Sequence, residues 1–257
     1  PLTNTSTCRS PCSIALRTAF SAARWAAKAV PLREPLKPTV PALAEAVRNP
    51  ASAPVNCAIT SDARTCISWI RTKRGIAAAV GMGIGGATAW LFAREGAKVV
   101  LGDVNDELGQ RTASQIGDSG GQAQFVHLDV ASARDWSDAV KAAVDRFGRL
   151  DVLVNCAGNR EPGSFTLEET TEELWDEVMD VHARGTFLGM KHSVPKMRDS
   201  GGGSIINISS VLGMVGQGDR TSYVAAKGAI RLMSKAVALQ YAKENIRVNS
   251  VHPGTVI

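Results

Sequence analysis

From about residue 75 onward, short runs rich in β-branched residues alternate with amphipathic stretches, and no other feature constrains the fold of this chain as tightly. The runs AKVVLGD (97–103), QAQFVHLD (122–129), LDVLVNCAG (150–158), GSIINISS (203–210) and IRVNSVHPG (246–254) each read as a buried strand opening into a loop. Between them, helical patterns fall at about 84–95, 105–117, 132–147, 171–198 and 222–244. Strands separated by helices are not hairpins; they lie parallel, with the helices crossing over both faces of the sheet. The predicted fold class is α/β, a doubly wound parallel sheet in three α/β/α layers.

The first 72 residues have a different texture. They are rich in Ala, Arg, Ser, Thr and Pro, with prolines at 31, 35, 38, 41, 50 and 54, and show neither strand alternation nor a sustained helical stripe. This predicts a largely disordered leader over 1–72, followed by a single domain over 73–257. The leader reads as artefactual sequence on a cytoplasmic protein; the alternative is a mitochondrial presequence, which the acid-poor stretch SIALRTAFSAARWAAKAV (13–30) resembles. Nine basic and three acidic residues give 1–72 a charge of +6, so the net +5 of the whole chain leaves −1 for 73–257. The basic balance belongs to the leader, and nothing in 73–257 points to nucleic acid. No apolar run approaches the roughly 20 residues of a membrane span. Cys8, Cys12, Cys57, Cys66 and Cys156 form no CxxC pair, and the four histidines show no ligand spacing, so no metal site is expected.

Chemistry enters at three places. VGMGIGGATAWLFAREGA opens the first helix with Gly81, Gly83, Gly85 and Gly86, and Asp103 follows Gly85 by 18 residues at the end of the next strand. Glycines there let backbone approach a pyrophosphate at a helix N-terminus, while the acid accepts hydrogen bonds from a ribose hydroxyl; this is the logic of a Rossmann-like dinucleotide site. Farther on, Tyr223 and Lys227 lie four residues apart in YVAAK and share one helix face. A nearby ammonium favours the phenolate, which brings a tyrosine toward general acid/base work. Ser210 ends the preceding strand, 13 residues before Tyr223.

These pieces, in this order, resemble the short-chain dehydrogenase/reductase family. The resemblance covers about residues 83–257 and is carried by GIG (83–85), LDV (128–130), NCAG (155–158), GTFLGMKHSVP (185–195), GSIINISS (203–210), YVAAK (223–227) and IRVNSVHPG (246–254). It implies an NAD-dependent oxidoreductase that interconverts a secondary alcohol and a ketone. In that scheme Tyr223 exchanges a proton with the substrate oxygen, Ser210 hydrogen-bonds that oxygen, and Lys227 assists the tyrosine and holds the nicotinamide ribose. The resemblance further implies that Gly83, Ile84 and Gly85 receive the pyrophosphate and that Asp129 and Val130 contact adenine. Asn155, Ala157 and Gly158 would line the cofactor trough, with Pro253 and Gly254 beside the nicotinamide. Asp103 implies NAD rather than NADP, because a carboxylate there repels a 2′-phosphate. Pairing of the helical segments 171–198 and 222–244 into a homo-oligomer is implied as well, with Phe187, Leu188, Leu232 and Met233 as candidate contacts unless they all face the sheet.

Four departures qualify this picture. Ala78 and Ala79 stand at the first two positions of the family's glycine motif, and Arg71, Lys73 and Arg74 make SWIRTKRGIAA a poor buried strand, so the first strand is expected to be badly formed or missing. His182 occupies the fourth catalytic position, which is Asn in the family. It reads as a tolerated variant, with a new acid/base role as the alternative. The sequence ends at Ile257, before the region that covers the substrate in the family. A rival reading from a different class is a dinucleotide-binding scaffold that keeps the fold without turnover.

Overall fold

The computed structural model describes residues 74–78 through their backbone, and residues 83–158 and 163–254 in full. In chain order the elements are β1 (Arg74–Ala78), α1 (Ile84–Arg94), β2 (Lys98–Asp103), α2 (Asp106–Asp118), β3 (Gln122–His127), α3 (Ala133–Phe147), β4 (Val152–Asn155), α4 (Glu172–Met179), a π-helical turn (Asp180–Arg184), α5 (Gly185–Asp199), β5 (Gly203–Ile208), α6 (Thr221–Tyr241) and β6 (Ile246–Val251). All pairings are parallel, and the six strands run in the order β3-β2-β1-β4-β5-β6. The expected leader over 1–72 lies outside the described residues.

Alternation along the strands builds two cores. Val99 and Leu101 of β2, Val152 and Val154 of β4, and Ile206 and Ile208 of β5 pack with Ala89, Phe92 and Ala93 of α1. Their neighbours Val100, Leu153 and Ile205 point the other way, to Trp136 and Val140 of α3 and to Leu188, Val194 and Met197 of α5. A strand buried on both faces needs continuous apolar sequence, and β2, β4 and β5 have it. The helices begin where side chains can satisfy the orphan N–H groups: Asn105 accepts from Leu108 N, Ser132 from Asp135 N, and Thr171 from Leu174 N.

β1 corrects an expectation. Far from being missing, it takes the central place and pairs with β2 from Arg74↔Lys98 to Ala78↔Gly102 and with β4 from Gly75↔Val152 to Ala78↔Asn155. The strand is only five residues long and starts after Arg71 and Lys73, with Arg74 as its first residue. Gly75 to Ala78, which have neighbours on both sides, are uncharged. Reading SWIRTKRGIAA as one strand placed charge in a sheet that begins beyond most of it.

Candidate active site

Adjacent strands β1 and β4 send their connections to opposite faces of the sheet, so a crevice opens at their C-terminal ends, where ligands of open α/β sheets bind. α1 begins on one lip. Gly83 is exposed in extended backbone before the first turn, and a Cβ there would meet nothing within 4 Å, so the helix N-terminus is open to solvent. Gly81 lies outside the described residues.

β4 ends on the other lip with Cys156, Ala157 and Gly158. Cys156 was read from sequence only as one of five scattered thiols. Its sulfur accepts the N–H of Gly85, which ties the end of β4 to the first turn of α1, and burial pushes the thiol up to about 11 despite the opposing pull of Lys227 and that N–H. Asn155 turns inward: its Nδ2 donates to Asn207 Oδ1 at 2.8 Å across β4 and β5. Gly158 has a packing reason to lack a side chain. A Cβ there would lie 2.5 Å from His182 Cε1.

The π-helical turn between α4 and α5 carries His182, which is 2% exposed. Its ring meets the ring of Tyr223 edge-on, with centroids 5.3 Å apart and planes at 88°. Tyr223 and Lys227 occupy the first two turns of α6. Lys227 Nζ lies 5.4 Å from the Tyr223 ring centroid and donates to Ile208 O at 3.0 Å. Its side chain is 4% exposed, and desolvation lowers its pKa to about 8, with nearby Cys156 acting in the opposite sense. An ammonium has three donors, and Ile208 O is the one protein acceptor found for it among the described residues.

β5 and α6 are stapled together at this point. Ser209 Oγ donates to Lys227 O at 2.8 Å, and a Cβ on Gly213 would lie 2.6 Å from the same carbonyl. Ser210, 8% exposed, caps a short 3-10 turn (Val211–Gly213) by accepting from Leu212 N at 3.1 Å. Its hydroxyl proton has no acceptor among the described residues. His252 was overlooked in the sequence. Its Nδ1 lies 3.0 Å from Ser210 O and its Nε2 3.0 Å from Ser250 Oγ. A carbonyl only accepts, so Nδ1 carries the proton and the ring fixes the backbone of Ser210. Pro253 O accepts from Val211 N at 3.0 Å, which brings Pro253 and Gly254 to the same mouth. Tyr223, Lys227 and His182 are thus brought together by α6 and the π turn, with Ser210 in the turn that follows β5.

The far end of the crevice is acidic. Asp103 closes β2, and its Oδ1 accepts from Asn105 N at 2.9 Å. Asp129 follows β3 and accepts from Ala131 N at 2.9 Å. Val130, by contrast, is 7% exposed and packs beneath Gly185, with its carbonyl accepting from Trp136 Nε1 at 2.9 Å. Its side chain, like that of Asn155, serves the core rather than the crevice. The exposed apolar residue here is Val104, 62% exposed and next to Asp103.

Comparison with known proteins gives concordant matches. The family model described as short chain dehydrogenase matches residues 76–257, starting inside β1 rather than at Gly83. The 2,5-dichloro-2,5-cyclohexadiene-1,4-diol dehydrogenase LinX of Sphingobium indicum is 46% identical over 172 residues, covering 67% of this chain and 68% of its own. A cyclopentanol dehydrogenase of Comamonas testosteroni is 43% identical over 180 residues, 69% of this chain and 70% of its own. The 3-alpha-(or 20-beta)-hydroxysteroid dehydrogenase of Mycobacterium tuberculosis is 43% identical over 174 residues, 68% and 65% of the two chains. A crystal structure of a short chain dehydrogenase from Mycobacterium smegmatis superposes with a TM-score of 0.70 at 31% identity, covering 73% of this chain and 79% of that one.

Proposed function

The chain belongs to the short-chain dehydrogenase family, and from that premise we propose that it oxidises a secondary alcohol with NAD through a Ser210–Tyr223–Lys227 relay. Oxidoreduction at CH–OH groups is common to the named relatives, and a nicotinamide dinucleotide is the cofactor their family implies. The crevice fits such a cofactor. Exposed Gly83, with half-buried Ile84, offers an open helix N-terminus to a pyrophosphate, while the N–H of buried Gly85 is held by Cys156. Asp103 stands where a ribose hydroxyl would donate, and buried Lys227 has donors left for the other ribose. NAD, when bound, accepts the hydride.

The observation that carries the reading is the setting of Tyr223. Its ring lies 5.4 Å from the buried ammonium of Lys227 and packs at 88° against the ring of His182, so one of its neighbours is a cation. In the proposed step Tyr223 takes the proton from the alcohol as hydride departs. Ser210 donates its uncommitted hydroxyl to the same oxygen, and His252 holds the Ser210 backbone still. His182 acts by packing against Tyr223 and Gly158. Val211, Met214 and Val215, 36%, 49% and 60% exposed, continue directly from Ser210 and give the substrate side an apolar wall. Such a wall suits a ring alcohol of the kind named for the cyclopentanol and cyclohexadienediol relatives.

The scaffold reading drew on Ala78 and Ala79 in the glycine motif, and the presence of Ser210, Tyr223 and Lys227 together argues against it. Tyr223→Phe tests the proposal. It should lower turnover of an alicyclic alcohol by about 10²-fold or more while NAD affinity stays within a few-fold, because the hydroxyl carries the proton but not the cofactor. Turnover close to that of the unaltered chain would sink the assignment.

A further inference from the structure

His127 ends β3 beside Asp103, its register partner on β2, so the two side chains leave the same face of the sheet one strand spacing apart, about 5 Å. His127 Nδ1 lies 2.7 Å from Asp106 Oδ1; a carboxylate only accepts, so the ring nitrogen carries the proton. Asp106 is the first residue of α2, whose N-terminus faces the loop that carries Asp103. A helix N-terminus ordinarily attracts anions, including phosphate. Here Asp106 and Glu107 occupy its first turn and oppose that attraction.

We propose that His127 is a specificity-determining residue for the coenzyme: by bridging to Asp106 it offsets the carboxylates at the adenosine end and sets how strongly the crevice rejects a dinucleotide bearing a 2′-phosphate. The proposal rests on the reading that Asp103 receives the adenosine ribose of NAD. The groups that face His127 are Asp106 from α2, Asp103 from β2, Asp129 from the turn after β3, and Asp135 from α3. All are acids. Among the bases on these helices, Arg111 lies farther along α2 and is exposed, and Arg134 of α3 is 90% exposed and reaches Asp138.

The hydrogen bond to Asp106 raises the histidine pKa above its usual 6.5; burial opposes it, and the charges of Asp106, Asp135 and Asp129 add to the rise. Below that raised pKa the ring is an imidazolium that partly cancels Asp106. Above it, Asp106 stands uncompensated beside the ribose. Rejection of the 2′-phosphate therefore strengthens as pH rises. The pair is solvent-exposed, 55% and 57%, so the effect is one of a few-fold.

Binding of NAD and NADP to the full chain, followed by calorimetric titration at about pH 6 and about pH 9, tests this directly. Three proteins are compared: the unaltered chain, His127→Ala and His127→Lys. The quantity read is the ratio of the NADP to the NAD dissociation constant. At about pH 6, His127→Ala should raise that ratio by about two- to five-fold over the unaltered chain, and at about pH 9 the two should agree. His127→Lys, a fixed cation, should bring the ratio at about pH 9 below that of the unaltered chain at the same pH. The 2′-phosphate itself titrates near about 6, so each variant is compared with the unaltered chain at one pH. Equal ratios for His127→Ala and the unaltered chain at about pH 6 would overturn the proposal. Asp103→Ala separates this from failure of the underlying reading. If it leaves the ratio unchanged at about pH 9, or if neither dinucleotide binds, the cofactor assignment falls and the role of His127 with it. If it narrows the ratio while the histidine variants do not move it, only the role of His127 fails.

Discussion

Lys227 shows how a single buried charge can be both a cost to the fold and a tool of the site. It is 4% exposed, makes one hydrogen bond to Ile208 O, and has its pKa lowered to about 8 by desolvation. In the unfolded chain the same amine titrates near 10.5. Between those values the unfolded state binds more protons, so the destabilisation due to Lys227 is absent above about pH 10.5, grows as pH falls, and is complete below about pH 8. Its size is on the order of 3 kcal/mol, a sizeable fraction of a domain's total stability. Lys227→Met should therefore gain stability relative to the unaltered chain as pH is lowered from about 11 to about 8, while losing turnover. Urea unfolding of both proteins across that range reads the difference. A difference that stays flat with pH would show that Lys227 is not held in a desolvated setting. Binding of a dinucleotide whose ribose hydroxyls accept from Nζ would offset part of this cost, linking the site's instability to its use.

Elements were more legible than side-chain roles. Five strands and the five helical segments fall within a few residues of where the periodicity put them, because parallel strands buried on both faces leave long apolar runs and the helices carry caps such as Asn105, Ser132 and Thr171. β1 was misjudged for a reason of scale: five residues carry little pattern, and the charges that argued against the strand mostly precede it. The π turn at 180–184 left no sequence signal, since an extra backbone residue in a helix changes no composition. Strand motifs gave the location of Asn155 and Val130 but not the direction of their side chains, which depends on what packs beneath them. Gly189 illustrates that dependence. On α5 above β4, a Cβ at this position would lie 2.3 Å from Asn155 Oδ1 and 2.8 Å from the Trp136 ring, and Trp136 is fully buried. Gly189→Ala should cost about 1–3 kcal/mol by overpacking, although alanine is the better helix former. Thermal melting measures this. A variant as stable as the parent would mean that α5 can lift from β4 without loss, and that the glycine reflects helix geometry alone.

Among the described residues, α6 carries apolar side chains that the fold leaves exposed. The sequence offered Phe187, Leu188, Leu232 and Met233 as contacts between protomers, and the structure divides them. Leu188 is 5% exposed and Met233 packs against the core, whereas Phe187 and Leu232 are 47% and 66% exposed. On α6, Leu232, Ala236 and Leu239 recur at helical spacing along one outward stripe, with Leu239 82% exposed, and Trp175 of the neighbouring α4 is 37% exposed. Covering a leucine contributes about 2 kcal/mol. A two-fold interface counts each side chain twice, so the two leucines of each protomer together contribute about 8 kcal/mol, inside the roughly 4–15 kcal/mol that association costs. We expect the chain to self-associate through this stripe, with Phe187 adding an aromatic contact. Leu232→Glu together with Leu239→Glu puts four like charges into the same contact and leaves both cores untouched. Light scattering after size exclusion should show a multiple of the chain mass for the parent and the single-chain mass for the double variant, with unchanged far-ultraviolet circular dichroism. A parent that is monomeric at tens of micromolar, or a double variant that keeps the parent's mass, would show that these leucines are not what holds protomers together.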